Sequence, residues 1–190
     1  MDELKKYLDE LKTIKMVKED CASFISVEAY SCLLNNGHTI SREKILKNKK
    51  DGSAAIVLPV TVENKVILAV EPRVFTKATV DVGLPAGYIE DGEEPSVAAS
   101  RELLEETGYQ CGSLVSLGKF YQDQGCSSAL NYYFLALDCK KVSDQSLDDG
   151  EFIKFFLVDF SDLDNLIDEG YITGLNSAFT IEKAKRYIRR

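Results

Sequence analysis

The segment 94–107, Glu-Pro-Ser-Val-Ala-Ala-Ser-Arg-Glu-Leu-Leu-Glu-Glu-Thr, constrains this chain more than any other. Pro95 falls in a first helical turn, where its missing N–H costs nothing, and Gly108 stands where a helix stops. At about 100° per residue, Glu102, Glu105 and Glu106 share one face as i, i+3 and i+4, with Ala98 in the middle of it. Val97, Ala99, Ser100, Leu103, Leu104 and Thr107 occupy the other side, which is expected to face a core. Like charges at these spacings destabilise a helix by roughly 0.2–0.5 kcal/mol per pair. Taken alone, such a run reads as a solvated face. The alternative is a cation against the three carboxylates. Oxygen ligands without histidine or thiolate point to Mg²⁺ or Mn²⁺ rather than zinc.

The remaining composition narrows the chemistry. His38 is the only histidine, so no Ser-His-Asp or Cys-His machinery can be assembled, and acid/base work falls to carboxylates, Lys, Tyr or metal-bound water. The five cysteines are odd in number and form no C-x-x-C pair, so they are expected to be buried free thiols. A net charge of −8 argues against a general nucleic-acid binder but not against a small phosphorylated substrate, which meets local rather than total charge. No apolar run approaches the roughly 20 residues of a membrane span, and the N-terminus has no secretory pattern, so a cytoplasmic protein with no membrane partner is expected.

With 190 residues the chain suits one domain with a full core. Leu4, Leu8, Leu11 and Ile14 predict a helix over 2–16. Alternation around Asn36-Gly37 predicts a hairpin of 23–34 and 38–46. A more buried strand pair is expected at 54–61 and 65–70, then a loop over 83–92 before the acidic helix. Further strands are expected at 114–121, 129–137 and 152–158. Two closing helices follow, the first capped by Ser161 and ended by Gly170, the second over 177–188. The pattern is a mixed α/β sandwich, with residues 1–50 as a semi-independent N-terminal piece and 51–190 as the main domain.

Gly87, Glu93, Arg101-Glu102-Leu103, Glu105-Glu106 and Gly108-Tyr109 match G-x5-E-x7-R-E-U-x-E-E-x-G-U position for position, U being a bulky apolar residue and Tyr109 an aromatic variant. At this chain's composition such a match at one starting position has a chance on the order of 10⁻⁹. The pattern resembles the Nudix hydrolase box. The resemblance implies an α/β/α sandwich with a mixed β-sheet, preceded here by a small N-terminal β-hairpin region. It implies that Glu102 and Glu106 are the principal metal ligands and that Glu105 is a further ligand or catalytic carboxylate. Ala86 would offer a backbone carbonyl to the metal, and Gly87 would let the loop turn tightly beside the substrate. Glu93 and Arg101 would form an orienting pair, and Gly108 would end the helix.

Beyond the box, Val60-Thr61, Val66-Ile67-Leu68, Glu71-Pro72-Arg73 and Leu84-Pro85-Ala86-Gly87 resemble the ADP-ribose pyrophosphatase branch, as does a hairpin region before the box. That branch implies a homodimer sharing N-terminal segments, Arg73 on phosphate, and a catalytic carboxylate from 146–153, either Asp149 or Glu151. Phe24, Tyr30 and Phe75 are candidates for stacking on the base, against a plain core role. Asp123-Gln124-Gly125 and Ala129 depart from that branch, which carries a Ser-Pro-Gly-like turn and then a glutamate. The expected reaction is hydrolysis of a nucleoside diphosphate linked to a group X, with ADP-ribose, giving AMP and ribose 5-phosphate, the leading substrate. Other nucleoside diphosphate sugars, NTP cleansing and a non-catalytic nucleotide sensor are the alternatives.

Overall fold

The structure is a computed structural model describing residues 2–12, 15–18 and 24–188. Helix α1 (Asp2–Leu11) precedes a hairpin of β1 (Ile25–Leu33) and β2 (Thr39–Lys47). Strands β3 (Ala54–Thr61), β4 (Lys65–Pro72), β5 (Val80–Gly83) and β6 (Ala86–Tyr88) lead into α2 (Pro95–Thr107). Strands β7 (Tyr109–Gln110), β8 (Ser113–Tyr121), β9 (Leu130–Lys141) and β10 (Lys154–Asp159) follow, then α3 (Leu163–Asp168) and α4 (Leu175–Ile188).

An apolar strand without alternation must be covered on both faces, and β3 is such a strand. It lies at the centre of the sheet, antiparallel to β4 and β6 and parallel to β9. Its period of two sorts side chains between two cores. Ala55 and Val57 pack with Ala99 and Leu103 of α2, while Ile56 and Leu58 pack with Leu163, Ile181 and Ala184 of α3 and α4 and with Leu4 of α1. The result is the expected α/β/α sandwich with a mixed sheet. Pro59, which cannot donate to a ladder, sits where the β3–β9 register slips, between Pro59 and Thr61.

Several elements differ from expectation. The 83–92 loop contains β6, which pairs with β3 and so fixes the backbone beside α2. Strand β9 runs past 137 because β7 pairs with Lys140 and Lys141 beyond Asp138, whose left-handed φ of 56° is a conformation aspartate tolerates. Strand β10 begins at Lys154, and Ser161 caps no helix because a 3-10 turn, Phe160–Asp162, precedes α3. Helix α4 starts at Leu175, which leaves the Ser177 hydroxyl to accept the Leu84 N–H at 3.1 Å. Ile14, Cys21 and Ser23 lie outside the described residues. Of the described cysteines, all free, only Cys139 is buried, and burial pushes its thiol up to about 12.

The hairpin turns at Gly37, φ 83°, and pairs Ile25 with Lys47 through Leu33 with Thr39. It is joined to the main sheet by the Ile45 N–H on the Cys126 carbonyl at 2.8 Å. Ile25, Val27 and Leu33 share one face of β1 and remain exposed.

Helix α2 ends as its sequence requires. Gly108 is left-handed, φ 73°, with its N–H on the Leu104 carbonyl at 2.7 Å. A Cβ there would stand 2.1 Å from the Ser143 carbonyl oxygen, and the Gly108 carbonyl accepts the Val142 and Ser143 N–H groups. Lys141 Nζ adds a charged bond to the Thr107 carbonyl at 2.8 Å. Gly108→Ala therefore combines a left-handed backbone with backbone overlap and should cost roughly 3 kcal/mol. A thermal melt should show Tm lower by about 6–12 °C, and a change under about 2 °C would refute this account of the cap.

Candidate active site

Helix α2 lies against the sheet with a different face inward from the one its apolar residues suggest. Ala98, Ala99, Glu102, Leu103, Glu106 and Thr107 are buried, whereas Val97, Ser100 and Leu104 are exposed. The expected core face is thus corrected in part: Ala99, Leu103 and Thr107 are buried as expected, but Val97, Ser100 and Leu104 are not. Two small residues, Ala98 and Ala99, let the helix approach the sheet, and the acidic face follows them inward. Glu102 is 8% exposed and Glu106 5%.

Arg101 makes this tolerable. Its Nε and Nη2 grip both Glu93 oxygens at 2.9 and 3.0 Å. Nη1 donates to Glu102 Oε1 at 2.7 Å and to Glu105 Oε2 at 3.0 Å, and Nη2 reaches the Tyr88 carbonyl at 3.1 Å. Each of the five N–H donors of a guanidinium has a partner. The anionic neighbours hold Arg101 firmly charged, and the same pairing draws the Glu93 carboxyl below its usual range.

Glu106 has no such partner. Burial, and then the charges of Glu102, Glu71 and Glu151, push its carboxyl well above the ordinary range, and only the Ala86 backbone N–H works against this. Its Oε2 is buried with no hydrogen-bond donor. Burial also raises Glu102, with Arg101 opposing. Gly87 provides the space: a Cβ there would fall 2.1–2.5 Å from the three carboxylate atoms of Glu102. Gly87 lies within β6, outside the positive-φ glycines, so close approach rather than a tight turn is its structural requirement.

An orphaned buried carboxylate oxygen beside a second buried carboxylate, all donors being oxygen, fits a hard divalent cation. Among the described residues no three carboxylate, imidazole or thiol groups converge into a cage. The fit is therefore to an ion held by one or two carboxylates, with water and phosphate oxygens completing its shell.

These groups line a cleft of about 680 Å³ that also takes in Ala86, Arg73, Glu71 and Glu151. Arg73 is anchored by Glu71, whose oxygen lies 2.6 Å from Nη2, the two being i and i+2 at the end of β4. Of the two loop candidates, Glu151 lines the cleft and Asp149 does not; Glu151 Oε2 accepts the Asp148 N–H at 3.0 Å. Phe24 lies in an adjoining groove of about 630 Å³, its ring centroid 6.2 Å from that of Tyr88, which borders both spaces. Tyr30 lies on the hairpin with its hydroxyl on Glu28, and Phe75 is 95% exposed; neither lines the cleft or joins a core. Ala129 is buried and Gln124 exposed.

The Nudix domain profile matches residues 50–173. The chain belongs to the Nudix family. It is 32% identical over 174 residues to a Bacillus subtilis protein named ADP-ribose pyrophosphatase, covering 91% of each chain. It is also 33% identical over 147 residues to the methanol dehydrogenase activator of Bacillus methanolicus, 77% of each. A crystal structure of an ADP compounds hydrolase superposes with a TM-score of 0.76 at 20% identity, over 93% of this chain and 92% of that one, a likeness of fold. Among Nudix proteins this chain is a pyrophosphohydrolase.

Some contacts that shape the Nudix site have no signature in the sequence. Gln145 Nε2 bridges the Glu106 and Ile153 carbonyls, and the Ser146 N–H reaches the Glu105 carbonyl at 2.9 Å, so the 144–153 loop is moored to α2. Glu71 stands in the same triplet as Arg73, and their i, i+2 spacing was the available signal. Asn131, an amide within an apolar strand, was another.

The raised carboxyls give the metal-free protein a pH signature. A group whose native pKa is raised holds its proton in the native state after the unfolded chain has released it, so stability falls as pH climbs from the ordinary carboxylate range towards the native values. Depressed groups such as Glu93 are ionised in both states there and drop out. Chelated protein should therefore lose Tm as pH rises above the ordinary carboxylate range, and added Mg²⁺ or Mn²⁺ should restore it at the alkaline end. A flat or rising Tm without metal would contradict the burial of these charges.

Proposed function

We propose that this chain hydrolyses the pyrophosphate bond of a nucleoside diphosphate derivative in a reaction dependent on Mg²⁺ or Mn²⁺, with ADP-ribose, giving AMP and ribose 5-phosphate, the first substrate to test. The observation that carries the reading is the unpartnered, buried Glu106 oxygen beside Glu102, facing a cleft that also presents Arg73 and Glu151. The name of the Bacillus subtilis relative supports the substrate class. Gln124 and Ala129, which differ from that branch, keep other nucleoside diphosphate sugars as the second reading.

Glu102 and Glu106 would hold the cation, with Glu105 and the Ala86 carbonyl as further oxygen donors. A divalent ion bound there would supply charge neutralisation for the diphosphate and make a water easier to deprotonate. Arg73 grips a phosphate, its fork presented by Glu71. Glu151, on a loop moored to α2, accepts a proton from the attacking water. A P–O bond to that water's oxygen forms as the bridging P–O bond breaks. Arg101 holds Glu102 and Glu105 in place, and Glu93 holds Arg101. Phe24 and Tyr88 offer faces to a base in the adjoining groove. Gly87 admits the Glu102 carboxylate beside the substrate.

The exposed apolar face of Ile25, Val27 and Leu33 supports reading residues 1–50 as the dimerisation element of a homodimer and 51–190 as the catalytic domain. Free thiols throughout the described residues support a reducing, cytoplasmic compartment.

A panel of ADP-ribose, other nucleoside diphosphate sugars, dinucleoside polyphosphates and NTPs, assayed with Mg²⁺ or Mn²⁺, should give AMP from ADP-ribose; pyrophosphate released from NTPs alone would replace this reading with nucleotide cleansing. Glu106→Gln should lower turnover by on the order of 10²-fold or more while leaving the chelated protein at least as stable, since it removes a buried charge and keeps the shape. Near-normal Mg²⁺-dependent turnover would overturn the ligand assignment. Val27→Lys should convert a dimer to monomer in light scattering, and a dimer unaffected by that change would refute the hairpin's role.

A further inference from the structure

Resting on that reading, we propose that Asn176, positioned by Asn131 and Tyr133, recognises a hydroxyl of the group X, so that the far end of the cleft selects a polyhydroxylated sugar rather than a further phosphate.

Asn131 and Tyr133 are two residues apart on β9 and so share a face. Asn131 Nδ2 donates to Asn176 Oδ1 at 3.0 Å, and the Tyr133 hydroxyl donates to the same oxygen at 2.9 Å. Both lone pairs of that carbonyl are taken. Rotating the Asn176 amide by 180° would set its N–H groups against the Asn131 N–H, so the carbonyl is the end that faces this pair. The Nδ2 end is left without an acceptor among the described residues, on a half-buried residue that lines the cleft.

Beside it lies the complementary vacancy. Asn131 is 1% exposed and also lines the cleft, and its Oδ1 is buried with no donor. Burying an acceptor unmatched is unfavourable, and proteins seldom leave one so without a ligand or water to meet it. A spare donor and an unmatched acceptor on neighbouring amides complement a hydroxyl, which both donates and accepts. An ionised phosphate oxygen only accepts, and would set a second acceptor against Asn131 Oδ1.

The placement suits the far end of a substrate. Ala54 of β3 pairs with Tyr88 on one side and Asn131 on the other. Asn131 is therefore two strand spacings, roughly 10 Å, from the β6 backbone beneath Glu102. That interval accommodates a phosphate and part of a sugar between the carboxylates and the amides.

The test is titration calorimetry of the full chain with ribose 5-phosphate, using inorganic phosphate as the control that carries no sugar hydroxyl. Asn176→Ala should weaken ribose 5-phosphate on the order of tenfold and leave inorganic phosphate unchanged. Tyr133→Phe, which keeps Asn176 and removes one of its two restraints, should weaken ribose 5-phosphate in the same direction by a smaller factor. Equal weakening of both ligands, an unchanged affinity for ribose 5-phosphate, or no binding of it by the wild-type chain overturns the proposal. A normal Tyr133→Phe variant overturns the positioning role. Failure of the parent reading is seen separately, as absence of turnover across the nucleoside diphosphate panel.

Discussion

The guanidinium of Arg101 is the contact on which the site is built. It ties the loop residue Glu93, the β6 carbonyl of Tyr88 and two carboxylates of its own helix to one planar group. Because a guanidinium is rigid and stays charged, this fixes the angle between α2 and β6 as well as the carboxylates. A lysine could supply the charge but not five donors in a fixed fork.

What Arg101 does not touch is equally informative. Glu106 is left without a cationic partner at the most buried position of the cluster, where an isolated ionised carboxylate is strongly disfavoured. Glu71, also raised by burial, is at least matched to Arg73. The uneven distribution of countercharge leaves one buried oxygen without a partner, which a purely structural ion-pair network would not require. The family membership and the geometry meet at this atom.

The parallel β3–β9 pairing brings the lining of the cleft together. With Ala54 between Tyr88 and Asn131, the acidic helix, the aromatic groove and the amide network become neighbours although they are far apart along the chain. Loop 144–153 joins them through Gln145 and Ser146, which is how Glu151 rather than Asp149 comes to face the cleft. Nothing in the local sequence separates these two acids, because loop side chains point where the moorings at either end direct them.

Short-range chemistry was legible without coordinates. Pro95 and Gly108 bounded α2, spacing put Glu102, Glu105 and Glu106 on one face, Asn36-Gly37 turned the hairpin, and the unbroken apolar run of β3 announced a strand covered on both sides. These follow from backbone sterics and helical or strand periodicity, which a residue carries with it. The facing of α2 did not follow, because Ala98 and Ala99 let the acidic side pack inward and left Val97 and Leu104 outside. Nor did the requirement for Gly87, which is set by Glu102 across the cleft, or the meeting of Asn131 with Asn176 between a strand and a helix. Burial and long-range contact belong to the packed sheet, so only the tertiary structure decided which of these polar groups would be satisfied and which would be buried without a partner.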